Sequence, residues 1–166
     1  SPKKDDYPAY YSGTTENYRG IHAINLLKNT TDFDVDSLIN AAYDSHLTGF
    51  DVLLVPLFKA FESLPDSDPS KTSLREPIAT LQAWDKRSGV DSVPTSIAVF
   101  WGMDLMQAVR NKARAADVSV YTYMESMASN DERRISLKSA VDKLARDFGT
   151  WQTPWGEINR FQRISP

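Results

Sequence analysis

A helical period running through most of this chain constrains its fold more than any other feature. Between Ser96 and Ala115, Ile97, Trp101, Leu105 and Val109 recur every four residues, so they stack on one helix face that must be buried. Leu137, Val141, Leu144 and Phe148 also follow helical spacing, after a Ser129/Glu132 capping box and before the closing Gly149. Leu74, Ile78, Leu81 and Trp84 make a third stripe, with Gly89 as its expected stop and Pro94 as the start of the next helix. Upstream, a helix is predicted over about Asn17–Lys28. A second opens near Asp34 or Val35, with Val35, Leu38, Ile39, Ala42 and His46 on one face. Phe50, Leu53, Leu54, Leu57, Phe58, Phe61 and Leu64 form a broad stripe, in which Pro56 predicts a kink or a late start. "PDSDPSKTS" reads as a polar connector. "ADVSVYTYMESM" fits either a short strand, through alternating Val118 and Val120, or a helical turn. The expected class is all-α: an irregular bundle of about six to seven helices in one domain, 1–166. Residues 1–15 are extended, 16–149 helical and 150–166 an irregular tail.

Composition removes several function classes. Hydrophobic residues make up 41% and charged residues 25%, the profile of a globular domain. The formal charge of -3 provides no basic field for nucleic acid. "VLLVPLF" falls far short of the ~20 apolar residues of a membrane span. With 0 cysteines there is no disulfide, no thiolate metal ligand and no thiol nucleophile. The 2 histidines, His22 and His46, match no zinc pattern, so no cofactor is expected.

Few residues invite chemistry. In "ENYRGIHAINLL" a cation, Arg19, and an imidazole, His22, share one edge of a helix with Ala23 and Leu26. Ser1 could act as an N-terminal nucleophile using its own amine as base. It precedes Pro2 and a polar stretch instead of opening a rigid strand, and a cloning remnant explains it more simply. The acidic groups at 32–36 and 66–68 lack the glycine and distal glutamate of a calcium loop and read as helix caps. "WDKRSGVDS" reads as a core tryptophan at a helix end. "TPWGEINRFQR" gathers Trp155, Glu157, Asn159, Arg160 and Arg163 around a glycine, suited to a binding surface or to the lid of a core.

In order, "SPKKDDYPAY", "ENYRGIHAINLL", "FDVDSLINAAYDSHLTGFDVLLVPLFKAF", "LQAWDKRSGVDSVPTSIAVFWG" and "DFGTWQTPWGEINRFQR" resemble the penicillin acylase (penicillin amidase) family of N-terminal-nucleophile hydrolases. The resemblance spans nearly the whole chain. It implies an internal, helix-rich piece of the β chain, inserted in an αββα sandwich enzyme that is exported and matures by self-cleavage. In such enzymes a serine at the β-chain N-terminus attacks an amide, and backbone N–H groups with an asparagine bind the oxyanion. Ser1-Pro2 resemble the pair that follows that asparagine, so nucleophile, base and oxyanion donors are expected outside this chain. Arg19 resembles, by spacing and by the Leu-Leu after it, the arginine that supports the oxyanion asparagine and assists maturation. His22 receives no family role.

Trp155, Glu157 and Arg160, with Glu16, are the expected lining of the acyl-binding cleft. The implied partners are the remainder of the same acylase (α chain and rest of the β chain) and a small acylated-amine substrate, with no nucleic acid and no membrane span. The implied location is periplasmic or secreted. A structural calcium in the parent enzyme is allowed by the resemblance, without ligands identified here. The expected function is amidohydrolysis by the parent, with this piece alone inactive. Two alternatives stand beside it: a helical interaction module using Tyr7, Tyr10, Tyr11, Trp151 and Trp155, and a degenerate homologue.

Overall fold

A computed structural model describes residue 8, residues 17–28 and residues 30–160. Regular structure among them is entirely helical. The chain divides into two compact units, 1–49 and 50–166.

The first unit holds α1 (Tyr18–Leu27) and α2 (Val35–Ala42). Asn17 caps α1, its side-chain oxygen accepting from Gly20 N–H at 2.9 Å. Asp34 caps α2 in a full capping box with Ser37. The Ser37 hydroxyl and N–H hold the Asp34 carboxyl below its ordinary range. Neither helix contains a fully buried residue. The stripe read on α2 forms, yet Val35 is 74% exposed and Leu38 and Ile39 are also exposed. Its last expected member, His46, lies past the helix end at Ala42.

The second unit follows with α3 (Gly49–Glu62, whose first residue closes the first unit), α4 (Pro69–Ser73), α5 (Arg75–Gln82), α6 (Val93–Ala115), α7 (Val120–Thr122), α8 (Asn130–Phe148) and α9 (Trp155–Ile158). A π-helical turn, Tyr123–Met127, continues α7. Six of the helices have eight residues or more: α1, α2, α3, α5, α6 and α8. The expected all-α class is therefore present, and the helices of the second unit form an irregular bundle.

Its axis is α6, which packs most extensively on α8. Ile97, Trp101, Leu105 and Val109 are completely buried, as are Leu137, Ala140 and Leu144 of α8. Ile78 and Leu81 of α5 and Leu53, Leu54 and Leu57 of α3 complete the core. Each such leucine or isoleucine removed from water contributes about 1.5–3 kcal/mol. Phe50 packs on Trp84 and Trp101, with ring centroids 5.5 and 6.5 Å away.

Four local expectations are refined. The helix containing Pro56 starts early, at Gly49, and runs through the proline. Proline leaves the carbonyl four residues back, at Val52, without its helical donor, and Val52 is exposed enough for water to replace it. α5 ends at Gln82 and does not reach Gly89. The Trp84 indole N–H donates to Arg87 O at 3.0 Å, and Asp85 Oδ1 accepts from Arg87 N–H at 2.9 Å, so residues 84–87 fold into a tight loop. Lys86 takes the left-handed φ of 60° that this loop needs. The polar connector contains α4, capped by Asp68 and opened by Pro69. "ADVSVYTYMESM" resolves as helix: Ser119 caps α7, and the turn after it is pinned by Arg133.

Candidate functional site

α1 carries the two residues that chemistry singles out, and the fold separates them. Tyr18 packs against Gly49 so closely that a Cβ there would lie 2.7 Å from the tyrosine Cδ2. Position 49 therefore needs glycine for close approach. One turn on, the His22 ring is engaged from both sides. Its Nδ1 lies 2.8 Å from Thr48 Oγ1, and its Nε2 lies 3.2 Å from Asp44 Oδ1. The second approach is within ion-pair reach but not aligned as a straight hydrogen bond. Asp44 Oδ1 also accepts the His46 backbone N–H at 2.9 Å. The His46 ring stands 6.0 Å from that of His22, tilted by 32°. His22 and Asp44 side chains are only 19% and 17% exposed.

Arg19, by contrast, is exposed, and it makes no ion pair with a described residue. Ala23 is exposed as well, whereas Leu26 is half-buried. The edge shared in sequence by Arg19 and His22 thus splits: the imidazole turns into its unit and the guanidinium turns out. Thr48 Oγ1 and His22 Nδ1 share one hydrogen bond whose direction follows the tautomer of the ring, and the Asp44 carboxylate faces Nε2. Chemically the arrangement is a tie between α1 and the 44–48 loop. Sequence reasoning gave His22 no role, because Asp44 and Thr48 come from beyond the next helix.

The tail residues lie in the second unit. Trp155 is half-buried at the start of α9. Its N–H donates to Ser92 O at 3.1 Å, and Gly156 N–H donates to Val90 O at 2.8 Å. A Cβ at Gly156 would lie 2.9 Å from Val90 O, so the glycine lets two backbones touch. Glu157 and Arg160 pair with each other on the surface, and Arg160 Nε also donates to Gly156 O at 3.3 Å. The tryptophan is an anchor, and the two charges neutralise each other locally. Trp151 is also half-buried. Ser1, Tyr7, Tyr10, Tyr11, Glu16 and Arg163 lie outside the described residues.

An open groove of about 320 Å³ runs along α3, lined by Asp51, Val52, Val55, Pro56, Lys59 and Glu125. Among the described residues no group of three or more histidine, aspartate or glutamate side chains is placed to hold a metal ion. No described helix is long and apolar enough to cross a membrane.

The penicillin amidase family model matches residues 1–166. The chain belongs to the penicillin amidase family. No curated protein and no solved structure matches it. Family membership supports an acylase-related hydrolase and a larger acylase context for this helical chain. Arg19, on α1, has its side chain exposed.

Proposed function

We propose that this chain is a helical part of an amidase that cleaves the bond between an acyl group and an amine through an N-terminal serine in another segment. The observation that carries the reading is the family match over residues 1–166. The regular structure of the described residues agrees with it, since such a nucleophile needs a strand to hold it and these residues form only helices. On this reading the isolated chain has no amidase activity, and the parent is a self-cleaving periplasmic or secreted enzyme.

Arg19 supports the asparagine that binds the oxyanion and assists maturation. An exposed guanidinium on a helix tied down at its other side suits that work, because it can orient an amide and offset developing negative charge. Trp155, Glu157 and Arg160 flank the acyl-binding cleft. The remainder of the acylase covers the apolar face of α2, where Val35, Leu38, Ile39 and Tyr43 are all exposed.

The test is a panel of acyl amides of increasing acyl length, offered to the full-length protein, with N-terminal sequencing of its mature chains. Hydrolysis together with a mature chain beginning in serine is expected. An intact single chain that hydrolyses none of the amides contradicts the proposal.

A further inference from the structure

We propose that the Thr48–His22–Asp44 tie is a positioning device for Arg19, fixing the rotation of α1 and so the direction in which the guanidinium is presented. The inference rests on the reading of Arg19 given under Proposed function, and it assigns His22, Asp44 and Thr48 a part in it.

α1 is ten residues long and has no fully buried side chain, so packing alone holds its rotation weakly. His22 supplies a directional restraint. Its Nδ1 is hydrogen-bonded with Thr48 Oγ1 at 2.8 Å, and on the opposite edge Nε2 faces Asp44 Oδ1 at 3.2 Å, within ion-pair reach but not aligned as a hydrogen bond. Turning the helix breaks one contact or the other. Asp44 is itself held, because its Oδ1 accepts the His46 N–H at 2.9 Å. The Tyr18–Gly49 contact fixes the approach of the same helix one turn earlier.

Arg19 lies three residues before His22, roughly 60° around the helix from it. That offset places the guanidinium beside the restrained face and outside it, and Arg19 is exposed. Small rotations of α1 therefore move the guanidinium sideways while leaving the helix folded. Misplacing a catalytic support by about 1 Å can cost on the order of 10²-fold in rate.

A double-mutant cycle on the full-length enzyme tests this. Arg19→Ala, His22→Ala and the double variant are compared for kcat and KM on one hydrolysed amide, with melting temperature and far-UV circular dichroism recorded for each. His22→Ala is expected to lower kcat by roughly 10-fold with little change in KM. The double variant should turn over no more slowly than Arg19→Ala alone. Thr48→Val removes only the hydroxyl, keeps the side-chain shape and should reproduce part of the loss, which decides the matter if His22→Ala does not fold. Losses that multiply in the double variant overturn the proposal, since His22 would then act independently of Arg19. Wild-type kcat in folded His22→Ala or Thr48→Val also overturns it. Wild-type turnover in Arg19→Ala removes the reading of Arg19 and the positioning role with it, whereas multiplying losses leave that reading standing.

Discussion

Trp101 and Arg133 join α6 to α8 through a buried hydrogen bond, the indole N–H donating to the Arg133 main-chain carbonyl at 3.1 Å. Both residues are buried, at 0% and 3% exposure. The Arg133 guanidinium then donates to Met124 O at 2.6 Å and to Glu125 O at 3.1 Å, holding the π-helical turn against the same helix pair. Burial pushes the guanidinium pKa down, but it is still a cation whose fork suits two carbonyls. Trp101→Phe removes the indole donor and opens a void at the centre of the bundle. Chemical denaturation should show a loss of about 2–4 kcal/mol. A change below 0.5 kcal/mol would mean that the indole contact contributes little to the bundle.

Gly156 and Gly89 make a matched pair of tests. Alanine at 156 would drive its Cβ to 2.9 Å from Val90 O and 3.1 Å from Val90 Cβ, and the backbone carbonyl cannot swing away as a side chain could. Gly156→Ala should therefore detach α9 from residues 90–92 and expose Trp155, read as a red shift of tryptophan emission and a loss of about 1–3 kcal/mol. Gly89 has nothing within 4 Å of its would-be Cβ, and Gly89→Ala should be close to neutral. Equal behaviour of the two variants would remove the close-approach explanation.

Glu132 carries an acid-linked contribution to stability. Burial pushes its carboxyl pKa up. Hydrogen bonds from Lys112 Nζ and from the N–H and hydroxyl of Ser129, with the attraction of Lys112, outweigh that and hold it below its ordinary 4.5. A carboxyl whose pKa is depressed by folding stabilises the native state above its unfolded pKa and loses that contribution as pH falls through the folded value. Glu132→Gln should thus be destabilising near neutrality, with the gap to the unsubstituted protein narrowing below about pH 4.5. Denaturation midpoints across that window check the sign. A gap that widens on acidification contradicts the assigned contacts.

The large helices were legible because burial there is decided by stripes of apolar residues long enough to have one solution. Ile97, Trp101, Leu105 and Val109 have a four-residue period and a single buried face. Ser129 and Glu132 form the expected capping box, and Gly149 ends α8 with a φ of 85°. Legibility failed where a stripe states which face is apolar without stating what covers it, as on α2. It failed again where one long-range hydrogen bond overrides local pattern. Arg133 sits in a run of charged residues, yet the fold buries it to cap a turn that alternating valines had left ambiguous. The His22 tie spans 26 residues to Thr48, and no local spacing announces it.

Arg19 makes the most direct test of the amidase reading. It is exposed and makes no ion pair with a described residue, so its removal should change stability by no more than about 0.5 kcal/mol. Any loss of rate then reports function and not folding. The decisive measurement is kcat for amide hydrolysis by the full-length enzyme, unsubstituted against Arg19→Ala, with helical content checked alongside. A supporting cation gives a fall of roughly 10- to 100-fold, short of the 10²–10³ lost with an oxyanion donor itself. Equal turnover in a folded Arg19→Ala enzyme would contradict the role assigned to this residue.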